Sequence, residues 1–87
     1  MEIRESAEDY LERILMLNKS MGQVRAVDIA NLMNFSKPSV SIALKKLRQN
    51  GYVNIDGGGY ITLTESGLEI AERVFERHRL ISQLLMA

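Results

Sequence analysis

The sequence contains no cysteine, which excludes a disulfide framework, a thiolate zinc site and a thiol nucleophile. Long apolar runs are missing too, none approaching the roughly 18 residues that a membrane span requires. The acidic opening Met1-Glu2-Ile3-Arg4-Glu5 leads into no isolated apolar segment of the kind that directs export, so a cytoplasmic chain without a membrane partner is expected. Internal repeats and low-complexity tracts are absent. An excess of either charge is also lacking, since eleven lysines and arginines balance eleven aspartates and glutamates. What remains is 87 residues, 46% of them hydrophobic, room for one domain whose core lies near the lower limit of independent stability. Support from a second subunit is therefore expected.

The balanced charge is unevenly spread. Residues 1–12 hold one base against five acids, residues 13–51 seven bases against Asp28 alone, and residues 52–87 three bases against five acids. A basic middle between acidic ends keeps a nucleic-acid partner in view, because such binding depends on where the charge lies.

Ser6 with Asp9 three residues on resembles a capping box. It opens a first helix with Tyr10, Leu11, Ile14, Leu15 and Leu17 along one side and an end near Met21-Gly22. Val27, Ile29, Ala30, Leu32 and Met33 predict a short second helix over 26–33, with Asn34-Phe35-Ser36 as the turn. Ser36 as N-cap, Pro38 in the first turn and Asn50-Gly51 as the stop predict a third helix from 37 to 50. Two helices joined so closely form a helix-turn-helix candidate. Tyr52-Val53-Asn54-Ile55 and Tyr60-Ile61-Thr62-Leu63 alternate like strands around Asp56-Gly57-Gly58-Gly59, which predicts a hairpin. Thr64 caps a last helix that meets no stop signal. The expected fold is mainly α with a small β-hairpin, in the winged helix-turn-helix order.

At about 100° per residue, Val40, Ala43, Leu44 and Leu47 fall on one stripe of the third helix. Pro38, Ser41, Ile42, Lys45, Lys46 and Gln49 fall opposite, and residues 36–51 contain no acid. Short hydroxyls, an amide and cations on one face suit phosphate and base-edge contacts in a major groove of double-stranded DNA. With Ser36, Lys37 and Ser39 from the first turn and Arg25 from the same basic segment, these form the expected DNA-binding set. Exposed lysines also serve solubility alone. Ile42 fits either a thymine methyl or a singly exposed apolar residue. Gly57 to Gly59 and Tyr60 suit a wing or a loose turn, and with no Lys or Arg at its tip that wing contributes little charge.

Ala7-Glu8-Asp9-Tyr10-Leu11-Glu12-Arg13-Ile14, Val27-Asp28-Ile29-Ala30, Lys37-Pro38-Ser39-Val40-Ser41, Gly51-Tyr52-Val53, Ile61-Thr62-Leu63-Thr64-Glu65-Ser66-Gly67 and Arg77-His78-Arg79-Leu80-Ile81 together resemble the metal-dependent repressors of the diphtheria toxin repressor type, and within it the manganese transport regulators. The resemblance implies a homodimeric transcriptional regulator, a repressor of metal-homeostasis genes, in which a divalent metal ion favours the DNA-binding state. It implies Asp9, Glu12 and His78 as metal ligands. Asp9 stands where iron-responsive members carry methionine, which implies Mn²⁺, with Fe²⁺ as the alternative. Ser82 stands where iron-responsive members place a glutamate ligand, and the later ligands of the family fall outside this chain, which implies weak metal binding. By spacing alone, Asp9 and Glu12 share a helix face directed away from Leu11, Ile14 and Leu15, with Met16. Acids there also suit the helix dipole. His78 falls beside Ala71, Val74 and Phe75, as a ligand or as a buried histidine bonded to a carbonyl.

In the last helix Leu68, Ile70, Ala71, Val74, Phe75, Ile81, Leu84 and Leu85 spread over an arc of roughly 220°, wider than one core requires. The excess fits a second subunit or further residues, and the uncapped end at Ala87 reads as that of a fragment. Residues 1–64 are expected to form the DNA-binding domain and residues 65–87 a truncated linking and dimerisation helix. Two other functions fit the order of elements: a winged-helix regulator of the multiple antibiotic resistance type without metal control, and a winged-helix protein-interaction module. An enzyme is not expected, because the sole histidine lies in an apolar arc and the glycine cluster in a hairpin.

Overall fold

A computed structural model describes residues 3–86, with side-chain surroundings over residues 7–80. The elements run α1 (Ile3–Met21), α2 (Ala26–Met33), α3 (Lys37–Gln49), β1 (Val53–Ile55), β2 (Ile61–Leu63) and α4 (Glu65–Met86). This is the expected order. One start differs: α1 begins at Ile3, ahead of Ser6, so Ser6 lies inside the helix rather than capping it. Nothing between Ile3 and Asp9 breaks a helix, and Glu, Arg and Ala favour one, so the chain continues helical through the serine.

The turn between α2 and α3 is made by Asn34 in the left-handed conformation, φ 58°, which a short amide side chain tolerates. Ser36 then caps α3 by accepting from the amide of Ser39 at 3.3 Å. Strands β1 and β2 pair antiparallel with Asn54 opposite Thr62. The amide of Ile61 also donates to the carbonyl of Val24 at 2.7 Å, which ties the hairpin to the junction between α1 and α2. Thr64 joins three elements. Its amide donates to the Tyr52 carbonyl at 3.0 Å, its hydroxyl donates to the Gly51 carbonyl at 2.6 Å, and the same oxygen accepts from the Gly67 amide at 3.1 Å.

Leu11 and Ile14 from α1, Ile29 from α2, Val40 from α3, Val53 and Ile61 from the strands, and Val24 from the α1–α2 junction have no or almost no exposed surface. Each buries an apolar side chain worth about 1.5–3 kcal/mol. Tyr10 sets its ring against Phe35 with centroids 6.1 Å apart, and burial holds its phenol pKa above the ordinary value. Helix α4 packs along α1 through Ala71 and Val74, and the Lys19 ammonium lies 5.0 Å over the Phe75 ring. Leu68 and Leu80 on α4 remain exposed; the expected apolar positions Ile81, Leu84 and Leu85, and Ser82, have side chains outside the described residues. No helix among the described residues is long and apolar enough to cross a membrane.

Candidate functional site

Helix α3 buries Val40, Leu44 and Leu47, the expected stripe, and this packing turns the opposite side outward. Ser36, Lys37, Pro38, Ser39, Ser41, Ile42, Lys45, Lys46 and Gln49 are all exposed. Their surface carries three ammonium groups and no carboxylate. The hydroxyls of Ser36 and Ser39 bond to each other at 2.9 Å, so the N-terminus of α3 is held in one arrangement at the edge of this face. Ile42 is 60% exposed, yet it is not isolated: it borders an open groove of about 940 Å³ that Tyr10, Leu11, Phe35 and Tyr52 also line.

The hairpin stands beside α3. A cleft of about 310 Å³ between them is lined by Ser41, Lys45 and Arg48 on the helix, Ile55, Gly59 and Ile61 on the hairpin, and Ala26 at the start of α2. Arg48 was counted as charge in the sequence but not as part of the site; its i+3 spacing from Lys45 is the signal that places both toward the hairpin. Arg25 is exposed at the N-cap of α2, its amide donating to Asp28 Oδ2 at 2.9 Å. Its guanidinium lies 4.6 Å from the centroid of the Tyr60 ring. Tyr60, expected in the wing, meets Arg25 in a pairing that spacing does not reveal, because 35 positions separate the two.

The second cluster lies where α1 meets α4. Glu12 is the one buried charged residue among those described, only 2% exposed. Its carboxylate bonds to Nδ1 of His78, at 3.1 Å through Oε1 and 2.9 Å through Oε2. The Arg13 guanidinium stands 3.5 Å from Oε1. The His78 side chain is 51% exposed, so it shields Glu12 from one side and meets solvent on the other. Expected alike on one outward face, Asp9 and Glu12 differ: Asp9 is exposed and Glu12 is not. His78 of α4 lies against Glu12, one turn beyond Asp9, and covers the later acid. Among the described residues no three acidic or histidine side chains converge as a ready cage.

The donor chemistry nevertheless suits a hard divalent cation. An imidazole nitrogen and a buried carboxylate oxygen stand together, 2.9 Å apart, where α1 meets α4, and these two side chains would hold the ion. Carboxylate with imidazole is also a set that Mn²⁺ accepts. Asp9 stands one turn away on the same helix, and a buried carboxylate already stripped of water supplies negative charge where a cation gains most.

Residues 2–59 match the family described as iron dependent repressor, N-terminal DNA binding domain. The chain is 37% identical over 83 residues to an uncharacterised helix-turn-helix type transcriptional regulator of Methanocaldococcus jannaschii, covering 94% of this chain and 66% of that protein. It is 34% identical over 80 residues to the regulator MntR of Lysinibacillus sphaericus, covering 92% and 58%. Its fold superposes on that of the manganese regulator SloR with a TM-score of 0.77 at 35% identity, over 92% of this chain and 37% of that one. The chain thus spans less than two thirds of these relatives' length. Since the family model spans the first helix, the helix-turn-helix and the first strand, and the likeness to these regulators continues through nearly the whole chain, this protein belongs to the iron-dependent repressor family, the diphtheria toxin repressor type.

Proposed function

We propose that this chain is the DNA-binding part of a metal-responsive transcriptional regulator, a repressor acting in the cytoplasm on genes of metal homeostasis. The observation that carries the proposal is the exposed, acid-free face of α3 within a fold whose relatives are transcriptional regulators. Lys37, Lys45 and Lys46 position the protein on phosphates, while Ser39, Ser41, Ile42 and Gln49 meet base edges, with Pro38 and Ser36 setting the helix entry and Arg25 adding a further phosphate contact. Residues 1–64 form the binding domain and residues 65–87 the helix leading to a dimer partner, consistent with the exposure of Leu68 and Leu80. Two copies related by a twofold axis match a palindromic operator.

Glu12 and His78 hold the metal, Mn²⁺ in preference to Fe²⁺, with Asp9 as third ligand. The bound ion supplies positive charge that cross-links α1 to α4. Glu12 and His78 already join these helices, and their contact fixes the angle at which the recognition domain meets the dimerisation helix.

Duplex DNA from the region upstream of the chain's own gene, titrated with protein at fixed ionic strength with and without Mn²⁺, tests this proposal. Tighter binding in Mn²⁺, abolished by Glu12→Gln or His78→Ala, is expected. Binding that Mn²⁺ and Fe²⁺ leave unchanged would contradict metal control, as for regulators of the multiple antibiotic resistance type. Absence of duplex binding in either condition would point instead to a protein-interaction module.

A further inference from the structure

Between Tyr52 and Thr64 the hairpin carries one charged side chain, Asp56, and no cation. That carboxylate is turned onto its own loop: Asp56 Oδ1 accepts from the amides of Gly58 and Tyr60, each at 2.9 Å. Backbone bonds from Gly59 to the Asp56 carbonyl and from Asp56 to the Tyr60 carbonyl, 3.0 and 3.1 Å, close the loop further. Gly59 has φ +84°, a conformation that favours glycine. A Cβ at Gly58 would stand 3.2 Å from two Tyr60 ring carbons, so the ring lies against the loop backbone. The tip is closed by its own hydrogen bonds, and it carries an aromatic ring where no base is present.

The cation comes from outside. Arg25 sits at the α1–α2 junction, which the Ile61–Val24 bond ties to β2, and its guanidinium lies over the Tyr60 ring, 4.6 Å from its centroid. Its backbone is fixed by Asp28, whose carboxylate is thereby engaged with an amide. A guanidinium placed over a ring face is attracted to it without spending its N–H groups, which stay free to donate to an anion, and planar donor geometry matches phosphate oxygens. Arg25 is exposed, beside the cleft where Lys45 and Arg48 face the hairpin.

We propose that Arg25 and Tyr60 form one composite phosphate-binding unit: the wing grips a backbone phosphate of the duplex with a cation lent by the α1–α2 junction and aimed by the Tyr60 ring. This rests on the DNA-binding function proposed above. Tyr60 is a positioning residue within it, and Arg25 makes the contact.

Salt-dependent binding of the chain to duplex DNA tests the unit, with circular dichroism melts to verify folding. Arg25→Ala is expected to lower the slope of log K against log salt by about one unit, on every duplex sequence. Arg25→Lys, which keeps the charge but not the plane, retains the slope while weakening binding. Tyr60→Leu weakens binding as well, Tyr60→Phe restores most of that loss, and the double variant Arg25→Ala/Tyr60→Leu binds no more weakly than Arg25→Ala alone. A wild-type slope in Arg25→Ala, or losses that multiply in the double variant, would overturn the unit while leaving DNA binding by α3 intact. A wild-type chain that binds no duplex at low salt would overturn both.

Discussion

Glu12 and Gly67 show how single residues carry the geometry. Glu12 lies buried because α4 passes over it, and the His78 bond makes that burial tolerable, since an unpaired buried carboxylate is costly. Helical spacing could not distinguish Glu12 from Asp9, because the difference lies in which turn of α1 the distant α4 covers. Gly67 has the opposite role, making room: a Cβ there would collide with the backbone carbonyl of Tyr52, and that carbonyl accepts from Thr64. Gly67→Ala is therefore expected to destabilise by about 3 kcal/mol, the upper end for overpacking, because the obstacle is backbone and cannot rotate away. Thermal unfolding should show Tm lower by more than about 10 °C; a Tm within a degree or two of wild type would contradict the close approach. At Ile42, 60% exposed on the outward face of α3 proposed to meet DNA, replacement by alanine should weaken binding by about 1–3 kcal/mol on duplexes with thymine at one position and little on others. Uniform weakening on all duplexes would show instead that Ile42 acts through the apolar groove it borders.

Most elements were legible because their ends are chemically marked. Asn34 at φ 58°, Ser36 before Lys37-Pro38, and Thr64 before α4 stop or start helices by local hydrogen bonding, which depends on neighbours in sequence. The α1 start was misread for the same reason: Ser6-Asp9 has the form of a cap, but no breaker precedes it, and helix continues. Thr64 does more than cap. Its hydroxyl spans from α4 to the Gly51 carbonyl at the end of α3, so Thr64→Ala loses a cap and a link between elements. A loss of about 2 kcal/mol, the upper end for caps, is expected in denaturant unfolding with unchanged m-value; a loss below about 0.5 kcal/mol would show the link to be unimportant. What stayed illegible are the pairings between elements. Glu12–His78 and Arg25–Tyr60 join positions 66 and 35 residues apart, and no periodicity reports such meetings; family resemblance alone brought the first pair together, and nothing in the sequence the second.

At the scale of the whole molecule, a net charge of zero resolves into a basic face on α3 and an acid buried at the α1–α4 contact. Folding separates the signs. Two carboxylates of the last helix pair locally, Glu69 with Arg73 and Glu76 with Arg79, and α3 contains no acid of its own. Under the proposed function, that separation is what lets a neutral chain bind a polyanion, and it makes the interaction depend on salt. The most direct test is the affinity of the chain for duplex DNA across a salt series, comparing wild type with Lys45→Ala/Lys46→Ala. The expected result is a linear fall of log K with log salt in the wild type and a slope smaller by about two units in the double variant, with weakening on every sequence. An unchanged slope in the folded double variant would contradict the assignment of α3 as the DNA-binding face.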